Sequence, residues 1–144
     1  MLSLTMEYAL RAAAHLAERP GEAQSVKQIA EATQVPADYL AKVMRDLTRA
    51  GIVASKPGRT GGYALNPAAL DRSLWEIASA VETIRMTEGC PLGNPCHRVK
   101  LCPMHRALRD AEQAFRSCMT SATLRSLKAN HARDARLAAK GVVR

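Results

Sequence analysis

Three cysteines and a histidine lie close together in the second half of the chain. Five residues separate Cys90 from Cys96 and Cys96 from Cys102, and His105 follows Cys102 by three positions. Prolines and glycines between the cysteines favour a loop that folds back, so the thiolates can converge on one centre. Cys102 precedes Pro103 at a predicted helix start, where the positive end of the helix dipole favours a thiolate. The pattern indicates metal or redox chemistry, because a reducing compartment does not maintain structural disulfides.

The residues alone leave three kinds of centre open in this loop. Zinc sites usually contain cysteine pairs separated by about two to four residues, whereas wider gaps suit a larger inorganic core. An iron–sulfur cluster is therefore favoured over zinc, and zinc over a metal-free thiol sensor. The fourth cysteine, Cys118, lies on an apolar helix face, and we predict that it is a buried small residue and not a ligand.

The composition of the chain predicts that helices position this loop. Hydrophobic residues make up 47% of the 144 residues, but there are only one Trp, one Phe and three Tyr. The core must therefore be built from Leu, Ala, Val and Ile, which favours a mostly α fold. No apolar run is long enough to span a membrane and no secretory signal pattern is present, so we expect a cytoplasmic protein.

The formal net charge of +8 suggests a polyanionic partner, but its distribution weakens that argument. Residues 1–72 carry nine Lys and Arg against seven Asp and Glu, a net of +2, and residues 73–127 carry seven against five, again +2. Residues 128–144 carry five against one, a net of +4. Half of the excess lies in the tail, so the placement of individual cations must decide whether the chain binds nucleic acid.

Three helices are predicted before the cysteine loop. Apolar spacing predicts a first helix over residues 2–18, Ser25 caps a short second helix, and Pro36 occupies the first position of a third. The third helix should bury Leu40, Val43, Met44 and Leu47 and expose Asp38, Tyr39, Lys42, Arg45 and Arg49. Two short helices with a tight turn and a basic outer face form a helix-turn-helix pattern. An ordinary pair of antiparallel helices with a solvated face fits these two helices equally well.

A glycine-rich turn with two cations follows the third helix. Residues 52–54 and 63–65 are predicted strands on either side of a turn over residues 56–62, which contains Lys56 and Arg59. A basic hairpin directly after a recognition helix makes a winged helix, whose tip can place an arginine in the minor groove. The turn lacks the spacing of a nucleotide phosphate loop. We therefore predict that residues 1–70 bind DNA, through Ser25, Tyr39, Lys42, Arg45, Arg59 and Thr60.

The remainder of the chain is predicted to hold the loop and to pair two copies of the protein. Ser73 and Glu76 form a capping box for a fourth helix. After the loop, a heptad seam recurs over two repeats, through Met104, Leu108, Ala111, Phe115 and Cys118. This favours a long helix that pairs two chains, although a helix docked on its own domain has the same short pattern. Thr123 can cap a last short helix.

We accordingly predict a mostly α protein with four parts. These are a winged helix-turn-helix domain with a small β-hairpin wing over residues 1–85, a cluster-binding loop over 86–102, a dimerisation helix and short C-terminal helix over 103–127, and a basic, flexible tail over 128–144.

Four motifs in this order resemble the Rrf-type winged-helix transcription regulators. They are Tyr8-Ala9-Leu10-Arg11-Ala12, Pro36-x-x-Tyr39-Leu40, Gly58-Arg59-Thr60-Gly61-Gly62-Tyr63-x-Leu65, and the triple-cysteine loop followed by a long helix. The match runs from Met1 to about Leu127. The resemblance implies a homodimer that binds double-stranded DNA at a roughly palindromic operator, with an iron–sulfur cluster near the dimer interface. The resemblance therefore strongly favours an iron–sulfur cluster over zinc as the bound group.

The resemblance leaves two branches of the family open. IscR-like members have the third cysteine followed by x-x-His, as Cys102 and His105 are here, and use a 2Fe–2S cluster. NsrR-like members sense nitric oxide through a 4Fe–4S cluster. They take a fourth ligand from an acidic residue in the first helix of the partner chain, a position that Glu7 matches. The basic run after Cys102 looks closer to the NsrR-like branch, while Glu7 could equally form an exposed ion pair with Arg11.

These observations predict a cluster-dependent transcription regulator, most simply a repressor, that responds to nitric oxide, redox state or iron–sulfur supply. The alternative is a zinc-bound or metal-free regulator that senses redox state through its thiols. An enzyme with a reactive cysteine is disfavoured, because the chain has no CxxC motif, no set of Cys, His and Asp typical of a catalytic centre, and no nucleotide-binding loop.

Overall fold

The computed structural model describes residues 2–85, 89–90, 92–93 and 102–130. The predicted ligand Cys96 and the part of the predicted tail beyond residue 130 lie outside these ranges. The elements in chain order are α1 Leu4–Ala17, α2 Val26–Thr33, α3 Ala37–Arg49, β1 Val53–Lys56, β2 Gly62–Leu65, a 3-10 helix Pro67–Asp71, α4 Leu74–Val81 and α5 Pro103–Ser121. The prediction of a mostly helical fold with one small hairpin is confirmed.

Helix α1 lies at the centre of the fold and packs on α2, α3, α4 and β2. Ser3 caps it by accepting a hydrogen bond from the Met6 backbone N–H at 3.2 Å. Its buried face is rich in alanine, which lets neighbouring helices approach closely on several sides. The helix begins two residues later than predicted, because Ser3 is the cap, and Leu2 remains 40% exposed outside it.

The second and third helices form the predicted pair. The Ser25 hydroxyl accepts from the Gln28 backbone N–H, and the Gln28 side chain accepts from the Ser25 N–H, which makes a full capping box. Gln34 ends α2 in the left-handed conformation, with φ of 58°. Pro36 lies one position earlier than predicted, as the N-cap of α3, where its carbonyl accepts from the Leu40 N–H at 2.9 Å. All four apolar residues predicted to face inward from α3 are buried.

The hairpin is longer in its strands and shorter in its turn than predicted. Antiparallel pairing runs from Val53 opposite Leu65 to Lys56 opposite Gly62, so only residues 57–61 form the turn. The base of the hairpin also pairs with the loop between α1 and α2. The Tyr63 N–H donates to the Gln24 carbonyl at 2.8 Å, and the Gln24 N–H donates to the Tyr63 carbonyl at 3.0 Å. The wing is therefore fixed to the helical body through Gln24.

The chain returns to the helical body after α5. The Leu74 N–H donates to the Ala122 carbonyl at 2.9 Å. Thr123 and Ser126 cap each other's backbone N–H groups at the start of helical residues 124–130, which confirms the predicted cap. Leu124 is fully buried in the same core cluster as Leu16. The last turns of the described chain thus complete the core of the N-terminal helices.

Two carboxylates near α4 are held by arginines. Arg125 donates two hydrogen bonds to Asp71, at 2.6 and 2.9 Å, and these lower the pKa of that exposed carboxyl. Ser73 and Glu76 form the predicted capping box of α4. Hydrogen bonds from Arg72, and then from Ser73, hold the pKa of Glu76 below its usual value. Among the residues that the structure describes, no helix has both the length and the apolar character needed to cross a bilayer.

Candidate nucleic-acid interface and metal centre

The outward face of α3 carries exposed cations. Lys42 and Arg45 are exposed and form no hydrogen bond or ion pair with any part of the chain that the structure describes. Arg49, one turn further on, is exposed but pairs with Asp46 at 3.2 Å. The buried residues on the opposite face fix this orientation, because they anchor α3 to α1. Within the described part of the chain, both cations are therefore available to a polyanion.

Tyr39 lies on the flank of α3, where it contacts α1. Its ring meets the ring of Tyr8 edge to face, with centroids 5.5 Å apart and an interplanar angle of 78°. Its hydroxyl hydrogen-bonds to the hydroxyl of Thr5. The side chain is 36% exposed, so part of it remains accessible to DNA. Its observed contacts anchor the start of α3 to the first turn of α1.

The wing presents one uncommitted cation, where the sequence suggested two. Arg59 and Thr60 are exposed in the turn, and neither has a polar partner within the described ranges. Lys56 instead lies on β1, and its ammonium donates to the Gly21 carbonyl at 2.6 Å. Gly58 provides the positive φ, 110°, that bends the chain at the tip. Arg59 is therefore the wing residue best placed to contact nucleic acid.

Ser25 lies at the start of α2 and already has a structural role as its cap. The oxygen of its hydroxyl accepts from Gln28, but the hydroxyl proton has no partner in the described part of the chain. A serine can use both functions at once, so this proton could be donated to a phosphate. Gln24, the residue just before it, was not among the predicted site residues. Its pairing with β2 is long-range and leaves no local pattern in the sequence.

Cys102 and His105 come together at the start of α5. Cys102 is the N-cap, and its sulfur accepts from the His105 backbone N–H at 3.4 Å. Pro103 occupies the first helical position, where its fixed φ suits a helix start. A sulfur at this place faces the positive end of the helix dipole, as the sequence indicated. The Cys102 sulfur therefore lies at the N-terminal end of α5, one turn before His105.

His105 is buried but lacks a partner for one ring nitrogen. The residue is only 8% exposed, and its Nδ1 atom has no hydrogen bond within the described residues. Burying a polar atom without a partner costs about 1–3 kcal/mol, so such atoms usually have a reason. An imidazole nitrogen is also a common metal ligand. His105 offers a buried imidazole nitrogen without a partner in the described residues, and Cys102 offers a sulfur one turn earlier on the same helix, so the atom types fit those that ligate iron–sulfur clusters.

The structure does not bring the other predicted ligands, Cys90, Cys96 and Glu7, together with Cys102 and His105 within the described residues. Cys90 is half-buried, and the Gly93 N–H closes a turn by donating to its carbonyl at 2.9 Å. No three His, Cys, Asp or Glu side chains in the described ranges converge on a common point, and Cys96 lies outside those ranges. None of the described cysteines, which are Cys90, Cys102 and Cys118, forms a disulfide. Glu7 forms an ion pair with Arg11 one turn along α1, with both side chains nearly half exposed.

Helix α5 has two apolar faces, and the predicted seam mixes them. Phe115 and Met119 face α4, where the Phe115 ring lies 6.4 Å from that of Trp75 and the Arg116 guanidinium lies 5.0 Å above the same Trp75 ring. A second face is open in the single chain, and its exposed residues are Met104, Ala107, Ala111, Ala114 and Cys118. Cys118, predicted to be buried, is therefore exposed here, and Phe115 packs within its own chain.

Comparison with known proteins agrees with this architecture. A family model described as Rrf2, iron-dependent transcriptional regulator, matches residues 2–130. The transcriptional repressor NsrR of Streptomyces coelicolor is 32% identical over 108 residues, which cover 75% of this chain and 73% of the relative. The transcriptional regulator NsrR of Bacillus subtilis is 32% identical over 127 residues, 86% and 87% of the two chains.

Solved structures share the fold. The oxidized form of Staphylococcus aureus CymR superposes with a TM-score of 0.71 at 26% identity, covering 89% of this chain and 95% of that one. IscR of T. potens gives a TM-score of 0.70 at 22% identity, over 91% and 88% of the two chains, and that likeness concerns the fold alone. With a helix-turn-helix, a docked wing and a family match that spans nearly the whole described chain, this protein is a member of the Rrf2 family of transcription regulators.

Proposed function

We propose that this chain is an iron–sulfur-dependent repressor that binds a palindromic operator as a homodimer and responds to nitric oxide, redox state or iron–sulfur supply. The observation that carries the proposal is the buried His105 Nδ1, which has no partner in the described residues and belongs to the helix that Cys102 caps. The 32% identity to two NsrR proteins, one of them named a repressor, supports the same function.

Cys90, Cys96 and Cys102 are the proposed thiolate ligands, and His105 is the proposed fourth. When bound, such a cluster supplies a centre that nitric oxide or a change of redox state can alter. Burial of His105 and the absence of a described partner for Nδ1 favour it over Glu7, whose carboxylate is paired with Arg11 at the surface. The backbone N–H of His105 donates to the Cys102 sulfur, which links the two proposed ligands within one helical turn.

For DNA, the proposed contacts divide by the role of each side chain. Helix α3 would enter the major groove with Lys42 and Arg45 facing the duplex, while Arg59 and Thr60 at the wing tip would reach the neighbouring minor groove. Ser25 would donate to a phosphate, and Tyr39 would contribute the exposed part of its side chain. Two half-sites require two copies of the chain, and the open face of α5 is the proposed surface between them.

The cluster is tested by anaerobic purification followed by visible spectroscopy and by iron and sulfide analysis. Cys90→Ser, Cys96→Ser and Cys102→Ser should each abolish the chromophore, because each thiolate is a proposed primary ligand. Cys118→Ser is the matched control and should retain it. His105→Ala and Glu7→Ala, compared side by side, identify the fourth ligand, and the iron-to-sulfide ratio with the spectrum distinguishes 2Fe–2S from 4Fe–4S.

A colourless protein that holds zinc or no metal would overturn the cluster and favour a regulator that acts through its thiols. The fold likeness at 26% identity to an oxidized form of CymR is the observation behind that alternative. If both His105→Ala and Glu7→Ala kept an unchanged chromophore, neither residue would be the fourth ligand.

The DNA contacts are tested by salt-dependent binding to duplex DNA. Lys42→Ala should weaken binding to all sequences alike and reduce the salt slope by about one, as for a phosphate contact. Arg49→Ala is the matched control, because Arg49 is already paired with Asp46 on the same helix. An equal effect of the two substitutions would contradict the proposed orientation of α3.

A further inference from the structure

Asp38 is a carboxylate on the outward face of the proposed recognition helix. It lies in the first turn of α3 and is exposed, and no hydrogen bond or ion pair links it to the described part of the chain. Helical spacing places Lys42 and Arg45 on the same face, four and seven residues further along. The face proposed to meet DNA therefore begins with a negative charge and continues with two cations, all three without a partner among the described residues.

The position of Asp38 is fixed by the two residues that follow it. Tyr39 is anchored to Tyr8 and Thr5 of α1, and Leu40 is fully buried in the core. These two adjacent contacts set the rotation of the first turn of α3, so the Asp38 backbone is held on the side away from the core. The N-terminal residues of a recognition helix are those that approach base edges in the major groove.

An ionised carboxylate can only accept hydrogen bonds, and phosphates repel it. The major groove offers it two kinds of donor, the exocyclic amines of cytosine and adenine. Cytosine presents its N4 amine there, and aspartate and glutamate are the acceptors that commonly recognise it. A carboxylate on this face lowers affinity for any DNA that lacks a donor at the matching position.

We propose that Asp38 is a specificity-determining residue that accepts a hydrogen bond from the N4 amine of one cytosine in each operator half-site. The inference rests on the proposed function, because it requires α3 to occupy the major groove. Lys42 and Arg45 contribute attraction, and Asp38 restricts that attraction to sequences with the amine in place.

Asp38 also has a structural explanation that must be separated from this one. Pro36 provides no side-chain cap for α3, and an acidic residue in the first turn stabilises a helix through its dipole. That effect changes the thermal stability of the protein, and it is the same whichever DNA sequence is bound. It does not change which base is preferred, so base preference distinguishes the two roles.

The test is selection from a library of random-sequence duplexes with the full-length protein, anaerobic and air-exposed. The wild-type chain should enrich one cytosine per half-site by roughly tenfold over other bases. Asp38→Ala should lose that preference and bind unselected duplexes more tightly, because a repulsive charge is gone. Asp38→Asn should transfer the preference to adenine, which asparagine recognises through N6 and N7. Asp46→Ala, on the same helix but paired with Arg49, should leave all base preferences unchanged.

The outcomes separate this proposal from the proposed function. A wild-type chain that enriched no sequence in either state would overturn both. A wild-type consensus that Asp38→Ala enriched with the same base preferences would overturn the role of Asp38 and leave DNA recognition by α3 intact. Melting temperatures of all variants, measured on the same preparations, show the contribution of Asp38 to helix stability.

Discussion

Gly62 leaves room for the close approach of the wing to Gln24, and its replacement by alanine tests whether the docking of the wing there positions Arg59. A Cβ atom at Gly62 would lie 2.1 Å from the Gln24 carbonyl oxygen, far inside contact distance. Its φ of 144° also disfavours any other residue. Gly62→Ala should therefore separate β2 from the loop between α1 and α2.

The expected loss of unfolding free energy in Gly62→Ala has two contributions. An alanine held at this positive φ costs about 1–3 kcal/mol in backbone strain. Relief of the clash requires loss of both hydrogen bonds between Gln24 and Tyr63, at about 1 kcal/mol net each. Gly58→Ala is a matched control, since φ is 110° there and a Cβ would meet nothing within 4 Å. It should incur the strain alone, so Gly62→Ala should be less stable by about 2 kcal/mol.

Urea unfolding of the two variants measures this difference, and duplex binding of the folded proteins measures its consequence. Arg59→Ala should weaken operator binding in the wild-type background by roughly 1–3 kcal/mol. If Gly62→Ala displaces the wing, it should lower binding by itself, and adding Arg59→Ala should then have little further effect. Such non-additivity is expected when two residues act through one contact.

Equal destabilisation by Gly62→Ala and Gly58→Ala would refute the reasoning, because the clash with Gln24 would then contribute nothing to the loss of unfolding free energy. Fully additive effects of Gly62→Ala and Arg59→Ala on binding would refute the functional part. In that case Arg59 would contact DNA from a wing whose docking does not matter.

Three further predictions concern the core, the pH dependence and the open face of α5. Leu124→Ala should destabilise the protein by about 2–5 kcal/mol in urea, because Leu124 is fully buried, whereas Leu4→Ala, at a side chain 57% exposed, should change little. Glu76→Gln should lower the urea midpoint at neutral pH, and the difference from the wild-type protein should fade as the pH falls through and below the usual pKa of 4.5. The lowered pKa means that the folded state stabilises only the ionised carboxylate, so a constant difference down to pH 3 would contradict this prediction. Ala111→Glu should dissociate the proposed homodimer in light scattering while Gln113→Glu should not, and a dimeric Ala111→Glu protein would move the proposed interface away from this face.

The elements that the sequence predicted well are those that local patterns determine. The inward residues of α3, the Ser25 cap, the capping box of Ser73 and Glu76, and the capping Thr123 all depend on residues within a few positions of one another. Helical periodicity and backbone capping act over that range, so a single sequence carries the information. The capping position of Cys102 follows for the same reason, since Pro103 marks the helix start.

The features that the sequence did not predict depend on long-range contacts. Tyr39 has the spacing of an exposed residue, but Tyr8 and Thr5, more than thirty positions away, determine its orientation. Lys56 looks like a wing cation and instead binds the Gly21 carbonyl. The unpartnered Nδ1 of His105 is equally hidden, because nothing in the sequence says which side of α5 faces the core. Candidate site residues can thus be named from a sequence before their partners can.

Helix α5 shows why a short heptad pattern could not separate docking from dimerisation. Residues at 4-3-4-3 spacing span roughly 80° of the helix circumference, at about 100° per residue, and their side chains can touch two surfaces. Trp75 takes the Phe115 side of that arc, and the Ala111 side stays open in the single chain. Docking on its own domain therefore accounts for the Phe115 half of the seam, and pairing with a second chain remains a proposal for the Ala111 half. Small side chains on the open half let a second helix approach closely, and a charge placed there reports on pairing without disturbing the packing around Trp75.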